Sequence, residues 1–197
     1  MIPVKITIAT TNKGKLREIE KIFLGSDIQL QTLADIGWEK EIVEDGSTFA
    51  ENAMIKAREV YAGLNSPVIA EDSGLVVDKL NGAPGIFSAR YAGEKAGDKA
   101  NNKKLLEEIK NIPDPVEAAF VCSAVYFDGE TILVSEGRID GRLVRTPRGE
   151  NGFGYDPLFL PNGYDKTTAE LSPEIKNSIS HRGQAMKKLR KMILREE

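Results

Sequence analysis

Residues 48–80 read TFAENAMIKAREVYAGLNSPVIAEDSGLVVDKL, and this stretch decides the fold class. It opens on Thr48, and Glu51 follows three residues later. This is a capping box, in which a hydroxyl and a carboxylate satisfy free amides of a helix's first turn. The apolar residues that follow recur at helical spacing and predict a long amphipathic helix; they are Phe49, Ala53, Ala57, Val60, Tyr61 and Leu64. Two apolar runs, 67–70 and 75–80, then predict two strands that the polar residues 71–74 interrupt.

The flanking sequence extends the same alternation of strands and helices. On the amino-terminal side, residues 4–9 predict a strand, and a helix follows that ends at Gly25. On the carboxyl-terminal side we expect a helix after Asp98, a hairpin of residues 118–127 and 131–139, a short extended segment at 157–160 and a final helix. We therefore expect an α/β fold with a mixed sheet, formed by one domain over residues 1–197.

Composition excludes several classes of protein. The 197 residues carry 27 Lys and Arg against 30 Asp and Glu, and this net charge of −3 argues against a nucleic-acid coat protein. Cys122 is the only cysteine and His181 the only histidine, which excludes an intramolecular disulfide and multi-histidine zinc sites. No run approaches the roughly 20 apolar residues of a membrane span, and the first residues do not resemble a signal peptide. We therefore expect a cytoplasmic protein without membrane contact.

The first candidate site is the polar segment between the first strand and the first helix. A helix amino terminus offers amides and a positive dipole end to an anion such as phosphate, and lysines add charge. The segment lacks the spacing of a Walker A loop. An ordinary helix cap beside solvent-exposed lysines would have the same sequence pattern. The segment consists of Thr10, Thr11, Asn12, Lys13, Gly14 and Lys15.

Acidic residues form the second candidate site. Glu44 precedes the capped helix, and Glu71 and Asp72 stand between the two apolar runs. Carboxylates at the end of a buried strand are costly to desolvate unless they bind a cation, and Mg²⁺ prefers one or two carboxylates with phosphate oxygens. A carboxylate beside that metal can also take a proton from water. The alternatives without a functional role are a turn shaped by Asp72 and a solvent-exposed loop carboxylate at Glu44.

Two further segments have the composition of a base-binding site. In the glycine-rich residues 149–157, Phe153 or Tyr155 can stack on a base and Asp156 can accept a hydrogen bond from a ring N–H. Residues 176–183, just before the last helix, cluster three donors. These donors are Lys176, His181 and Arg182. A glycine-rich turn and a structural histidine remain the alternatives.

Together these segments closely resemble the inosine triphosphate pyrophosphatase family over essentially the whole chain. The matching stretches, in chain order, are residues 10–15, 44–57, 72–75, 82–91, 152–157 and 180–183. Glu71 stands where the family pattern favours Asp, and Asn151 stands where Gly is usual. The resemblance implies an elongated α/β domain with a central mixed sheet flanked by helices, and two lobes with an active-site cleft between them. It also implies a homodimer that cleaves non-standard purine nucleoside triphosphates such as dITP, ITP and XTP to the monophosphate and pyrophosphate.

The same resemblance implies a role for each matching residue. Asp72 would be the general base and, with Glu44, a ligand of Mg²⁺; Ser73 would contact substrate. Residues 10–15 would hold the triphosphate, and Lys56 would add charge. The purine would contact Phe153, Gly154, Tyr155, Asp156, Lys176, His181 and Arg182. A pyrophosphatase for modified pyrimidine triphosphates and a nucleotide sensor without turnover remain the alternatives, while an RNA-binding module lacks the basic stripe it needs.

Overall fold

The computed structural model describes residues 4–196 and has six strands among them. The strands are β1 (Val4–Ile8), β2 (Ile28–Thr32), β3 (Val68–Val77), β4 (Val116–Phe127), β5 (Ile132–Leu143) and β6 (Phe159–Pro161). The helices are α1 (Lys13–Phe23), α2 (Phe49–Leu64), α3 (Asp98–Ile109), α4 (Pro173–Ile179) and α5 (His181–Leu194). Short 3₁₀ turns cover Asp78–Leu80, Gly85–Arg90 and Asp156–Leu158.

The strands form one sheet in the order β2-β1-β3-β4-β5-β6. β1 is parallel to both β2 and β3, whereas β5 and β6 are antiparallel. The predicted α/β fold with a mixed central sheet flanked by helices is therefore confirmed.

The chain folds into two compact units. The first comprises the residues up to Asp72, Cys122–Gly137 and the residues from Arg182 onward; the second comprises Ser73–Val121 and Arg138–His181. The predicted cleft between two lobes and the single domain over residues 1–197 stay predictions. No helix within residues 4–196 has both the length and the apolarity that a bilayer crossing requires.

Both faces of the sheet in the first unit are buried. Along β3, Val68 and Ala70 pack in one core with Ala53, Ala57 and Val60 of α2. The intervening Ile69 packs in a second core with residues of α1 and α5, among them Ile19, Phe23, Ala185 and Leu189. Because successive side chains of a strand point to opposite faces, the apolar residues 68–70 at the start of β3 pack against two helical layers.

The second unit has its own core. Leu105 and Ile109 of α3 pack with Leu75 and Val77 of β3 and with aromatic residues of the later strands, Phe120 and Phe159 among them. Tyr155 is part of this core, and its hydroxyl donates a hydrogen bond to the Ser88 carbonyl (2.8 Å).

The capped helix after Thr48 and the helix after Asp98 are confirmed. The break predicted at residues 71–74 is wrong, because Val68–Val77 is one continuous strand. Residues 71–74 have the composition of a turn, yet ion pairs described below hold Glu71 and Asp72 inside the protein. β2 was missed, although Ile28 and Leu30 alternate with polar residues.

Two predicted segments near the carboxyl terminus also differ. Residues 157–160 were expected to be extended, but extended pairing begins only at Phe159, after a 3₁₀ turn. Residues 176–183 were expected to precede the last helix. They instead fill the end of α4 and the first turn of α5, because Ser172 caps α4 and Pro173 starts it.

Candidate active site

The segment predicted to bind phosphate is a tight connection from β1 to α1. The Asn12 side chain accepts hydrogen bonds from the backbone N–H groups of Gly14 (2.9 Å) and Lys15 (3.1 Å), and the Thr10 hydroxyl accepts one from the Asn12 N–H (3.2 Å). The sequence led us to expect open amides here, but Asn12 caps two of them. Thr11 and Lys13 are exposed. Lys13 and Lys15 still bring positive charge to this segment, although Lys15 also pairs with Glu71.

Glu71 and Asp72 are consecutive residues of β3 and therefore point to opposite faces of the sheet. Glu71 shares its face with Ile69, toward α1 and α5, and Asp72 shares its face with Ala70, toward α2. Their contacts bear this out: Glu71 meets Lys15 and Arg182, whereas Asp72 meets Asn52 and Lys56.

Glu71 is a buried carboxylate surrounded by cations. Its side chain is 1% exposed, and one oxygen lies 2.7 Å from Lys15 Nζ. The other oxygen lies 3.6 Å from Arg182 Nε and accepts a hydrogen bond from the Cys122 thiol at 3.4 Å. Burial raises the pKa of Glu71, but Lys15, Arg182 and Lys56 outweigh burial and hold that pKa well below its usual value. Glu71 is therefore ionised throughout the physiological range.

Arg182 completes this network in the first unit. Its guanidinium is 2% exposed and lies 2.6 Å from Glu18 Oε2 as well as near Glu71. Burial lowers the pKa of Arg182, and the carboxylates of Glu71 and Glu18 raise it above its usual value. The sequence grouped Arg182 with the base-binding residues, but these contacts tie its charge to Glu71, and its contact with the base stays a prediction.

Asp72 faces a different set of partners. The Asn52 amide donates a hydrogen bond to Asp72 Oδ2 (3.1 Å), and Lys56 Nζ lies 3.8 Å from Oδ1. Burial raises the pKa of Asp72 above its usual value, the charges of Lys56 and Lys15 oppose that rise, and the nearby Glu44 carboxylate adds to it. Its proton affinity is therefore increased relative to an exposed aspartate.

Glu44 reaches the same ammonium group from the loop before α2. Glu44 Oε2 lies 2.5 Å from Lys56 Nζ, so this lysine lies within 4 Å of both carboxylates. The Thr48 hydroxyl accepts from the Glu51 N–H (3.1 Å), as the capping box predicts. The returning bond differs, because Glu51 accepts from the Ser47 N–H rather than from Thr48.

Two of the predicted base-binding residues are fully engaged within the second unit. Asp156 is buried and accepts hydrogen bonds from Lys176 Nζ (2.6 Å), from the Phe153 N–H (2.8 Å) and from the Thr168 hydroxyl (2.9 Å). These bonds hold the glycine-rich loop in place, and a contact of Asp156 with the purine stays a prediction. Tyr155 is buried in the core rather than presented as a stacking surface.

Phe153 is the aromatic residue that stays partly exposed. Lys176 Nζ lies 4.8 Å from the centre of its ring, within the range of a cation–π contact. The next residue is fixed as well: the Gly154 N–H donates to Asp98 (2.7 Å), and its carbonyl accepts from the Asn102 amide (3.0 Å). His181 is buried and stacks on Phe120, with ring centres 4.9 Å apart.

The contacts of Gly152 and Asn151 explain why these two residue types occur in this loop. Gly152 has a φ of +80°, and a Cβ there would lie 2.0 Å from an Asp156 carboxylate oxygen, so no other residue fits. Asn151, which stands where the family resemblance favours glycine, fastens the loop, since its N–H donates to the Ala169 carbonyl (3.0 Å) and its amide to the Leu171 carbonyl (3.1 Å).

The structure therefore places the predicted residues in three groups. In the first unit, Glu44, Lys56 and Asp72 meet on the sheet face toward α2, whereas Lys15 and Arg182 meet Glu71 on the opposite face. The second unit brings together Phe153, Gly154, Asp156 and Lys176. Ser73, the first residue of the second unit, is partly buried. Sequence reasoning assigned no role to Asn52 or Glu18. The spacing of Asn52 four residues before Lys56 was the available signal, because such residues share a helix face.

Comparison with known proteins matches residues 6–192 to the Ham1 family. A protein of Bacillus subtilis (strain 168) named "dITP/XTP pyrophosphatase" is 48% identical over 94% of this chain and 95% of its own length. A protein of Listeria monocytogenes with the same name is 50% identical over 96% of this chain and 95% of its own length. Both alignments span almost the whole of each protein.

Solved structures of two Ham1 proteins have the same fold as this chain. A HAM1 protein from Coxiella burnetii superposes with a TM-score of 0.90 at 39% identity, covering 98% of this chain and 100% of its own. The Staphylococcus aureus Ham1 protein superposes with a TM-score of 0.88 at 42% identity and the same coverage. The resemblance drawn from the sequence motifs is confirmed, and this chain belongs to the Ham1 family.

Proposed function

We propose that this protein hydrolyses non-standard purine nucleoside triphosphates, namely dITP, ITP and XTP, to the nucleoside monophosphate and pyrophosphate. The observation that carries the proposal is the cluster of Glu44, Lys56 and Asp72, found in a chain that matches dITP/XTP pyrophosphatases along almost its full length. Such an enzyme removes deaminated purines from the nucleotide pool.

Mg²⁺ is the proposed cofactor. Glu44 and Asp72 place carboxylate oxygens around one ammonium group, and this donor set suits a divalent cation that completes its shell with phosphate oxygens and water. Within residues 4–196, no group of three or more His, Cys, Asp or Glu side chains has the arrangement of a metal site. In the proposal, Glu44 and Asp72 hold the ion together with substrate oxygens and water. Bound Mg²⁺ would neutralise phosphate charge and polarise the phosphorus centre.

Asp72 is the proposed general base. In the protein without bound metal, burial raises its pKa, so this carboxylate has a greater affinity for a proton than an exposed aspartate has. In the proposed step a water oxygen forms a bond to the α-phosphorus and the water proton passes to Asp72. The bond from the α-phosphorus to the bridging oxygen breaks, and pyrophosphate leaves with that electron pair. Lys15 and Lys56 supply positive charge to the polyphosphate.

The second unit supplies the proposed purine site. Phe153 is partly exposed, and its ring can stack on a base while Lys176 and His181 act as donors beside it. A donor directed at the 6-oxo group is satisfied by hypoxanthine or xanthine, whereas the 6-amino group of adenine would oppose it. An unpaired buried donor of this kind discriminates by factors of about 10⁴.

Release of pyrophosphate from a panel of nucleoside triphosphates tests the proposal. We expect dITP, ITP and XTP to be hydrolysed well and ATP to be hydrolysed about 10⁴-fold less efficiently. Removing Mg²⁺ with EDTA should stop hydrolysis, and restoring Mg²⁺ should recover it. A preference for modified pyrimidine triphosphates would instead support the alternative enzyme, and binding without release would support a nucleotide sensor.

Two further proposals accompany the activity. The homodimer implied by the family resemblance is checked by sedimentation velocity, which should give a species of twice the chain mass. A cytoplasmic location is checked by fractionation of cells that express the protein.

A further inference from the structure

The Asn52 side chain connects a loop amide to the carboxylate proposed as the base. Asn52 is 1% exposed and lies in the first turns of α2. Its oxygen accepts a hydrogen bond from the Gly46 N–H at 2.9 Å, and its amide nitrogen donates to Asp72 Oδ2 at 3.1 Å. The orientation of the amide follows from its partners, because a backbone N–H can only donate and an ionised carboxylate can only accept.

This arrangement distinguishes the two oxygens of Asp72. Oδ2 receives the Asn52 amide, while Oδ1 is the oxygen nearer to Lys56, the lysine that also contacts Glu44. A neutral amide donor fixes the plane of the carboxylate without cancelling its charge. Oδ1 is thereby directed to the side where the cationic and acidic groups converge.

Gly46 is required for the same contact. A Cβ at this position would lie 2.7 Å from the Asn52 side-chain oxygen and 2.8 Å from the Glu51 Cβ. Gly46 also follows Glu44 by two residues, so its hydrogen bond fastens the loop that carries Glu44 to the helix that orients Asp72. The contacts from Gly46 to Asn52 to Asp72 therefore connect the loop that carries Glu44 with Asp72, and these two acids are the proposed metal ligands.

We propose that Asn52 is a positioning residue for this reaction, holding the Asp72 carboxylate so that Oδ1 faces the substrate phosphates and the attacking water. The proposal rests on the proposed function, since it needs Asp72 to take part in hydrolysis. Partners that orient a ligating carboxylate contribute about 10- to 100-fold to activity. The loss should fall on kcat rather than KM, because Asn52 acts through Asp72.

A buried asparagine in the second unit provides a matched control. Asn101 is 3% exposed, accepts a hydrogen bond from the Ala92 N–H (2.8 Å) and donates to a carbonyl, that of Ala89 (3.1 Å). Asn101 thus repeats the bonding of Asn52 with a backbone oxygen in place of the Asp72 carboxylate. The substitutions N52D and N101D are isosteric, and each replaces the donor by an oxygen that opposes the acceptor.

The experiment compares dITP hydrolysis and thermal unfolding of wild type, N52D and N101D. We expect N52D to lower kcat by about 10- to 100-fold with KM changed by less than about threefold. N101D should also lower the unfolding temperature, because a buried amide donor is lost, and should keep its kcat within about twofold of wild type. Equal kcat values for the two variants, or a loss of N52D confined to KM, would overturn the proposal.

A second variant covers the case in which N52D does not fold. G46A keeps every donor and acceptor but displaces the Asn52 oxygen, so it should lower kcat in the same direction, and an unchanged kcat in G46A would overturn the proposal. The activity of wild type distinguishes a failure of the proposed function from a failure of the role proposed for Asn52. If wild type releases no pyrophosphate from dITP or XTP, the proposed function fails; if wild type is active and N52D behaves like N101D, the role of Asn52 alone fails.

Discussion

In the first unit, the neighbouring carboxylates of Glu71 and Asp72 lie on opposite faces of the sheet, and their surroundings shift their pKa values in opposite directions. On the face toward α1 and α5, Glu71 is held by Lys15 and Arg182, and its pKa falls below the usual value. On the face toward α2, Asp72 meets a neutral amide at 3.1 Å and a more distant lysine at 3.8 Å, and its pKa rises. Two adjacent residues of one strand thus differ in kind. Glu71 is ionised throughout the physiological range, whereas Asp72 is suited to exchanging protons.

Removing the Asp72 charge should give the largest effect on turnover. D72N keeps the shape of the side chain but cannot take a proton, so we expect pyrophosphate release to fall by about 10²- to 10⁴-fold. Nucleotide binding, measured by calorimetry, should remain detectable. Turnover close to that of wild type would remove Asp72 from the mechanism and with it the contrast between the two faces.

Glu71 should matter most for stability. E71Q leaves the Arg182 and Lys15 cations facing a neutral amide, and breaking a buried ion pair in this way costs about 3 kcal/mol or more. Urea unfolding measures the loss, with D72N as the control on the opposite face. D72N removes an acid whose burial is unfavourable, so it should unfold at the same or a higher urea concentration than wild type. The reverse ranking of the two variants would contradict the assignment.

The opposite pKa shifts also predict opposite dependences of stability on pH. Glu71 has a lowered pKa, so its stabilisation is complete above its ordinary value of 4.5 and is lost as pH falls below that value. Asp72 has a raised pKa, so its protonated form stabilises the fold below the ordinary value of 3.8, and this contribution is lost as pH rises through the raised pKa.

Unfolding free energies measured from about pH 3 to pH 7 at constant ionic strength check both signs. E71Q should lose less stability than wild type on acidification. D72N should lose less than wild type as pH rises over the range where Asp72 ionises. Parallel curves for the two variants would show that the two carboxylates do not differ in the way described.

Cys122 gives the smallest expected effect. Its buried thiol donates a weak hydrogen bond to Glu71, and burial, followed by the Glu71 charge, raises the thiol pKa well above its usual value. C122A should therefore destabilise the protein by about 1 kcal/mol and leave turnover within about twofold of wild type. A large loss of turnover in this variant would mean that Cys122, or Glu71 through its contact with Cys122, takes part in the chemistry.

The parts of the fold that the sequence predicts are those with local signals. The α2 helix carries its cap at Thr48 and its apolar stripe within one segment, and both are confirmed. The β3 strand lacks such a signal, since Glu71, Asp72, Ser73 and Gly74 have the composition of a turn. The strand continues because the cations that compensate Glu71 come from Lys15 and Arg182, which are distant in sequence.

The candidate site shows the same limit. The family resemblance, rather than the residue types alone, grouped Glu44, Lys56 and Asp72, which do meet in the structure. Composition could not show that Asp156 accepts hydrogen bonds from its own loop and from Lys176, or that Asn12 caps the helix whose amides were expected to be open. Both depend on side-chain directions that only the folded backbone sets.

The most direct test follows the position at which water attacks. Wild-type protein is supplied with dITP and Mg²⁺ in water labelled with heavy oxygen, and the products are analysed by mass spectrometry. We predict dIMP and pyrophosphate, with one heavy oxygen in the dIMP, because attack occurs at the α-phosphorus. Formation of dIDP and phosphate, or a heavy oxygen in the pyrophosphate, would contradict the proposed reaction.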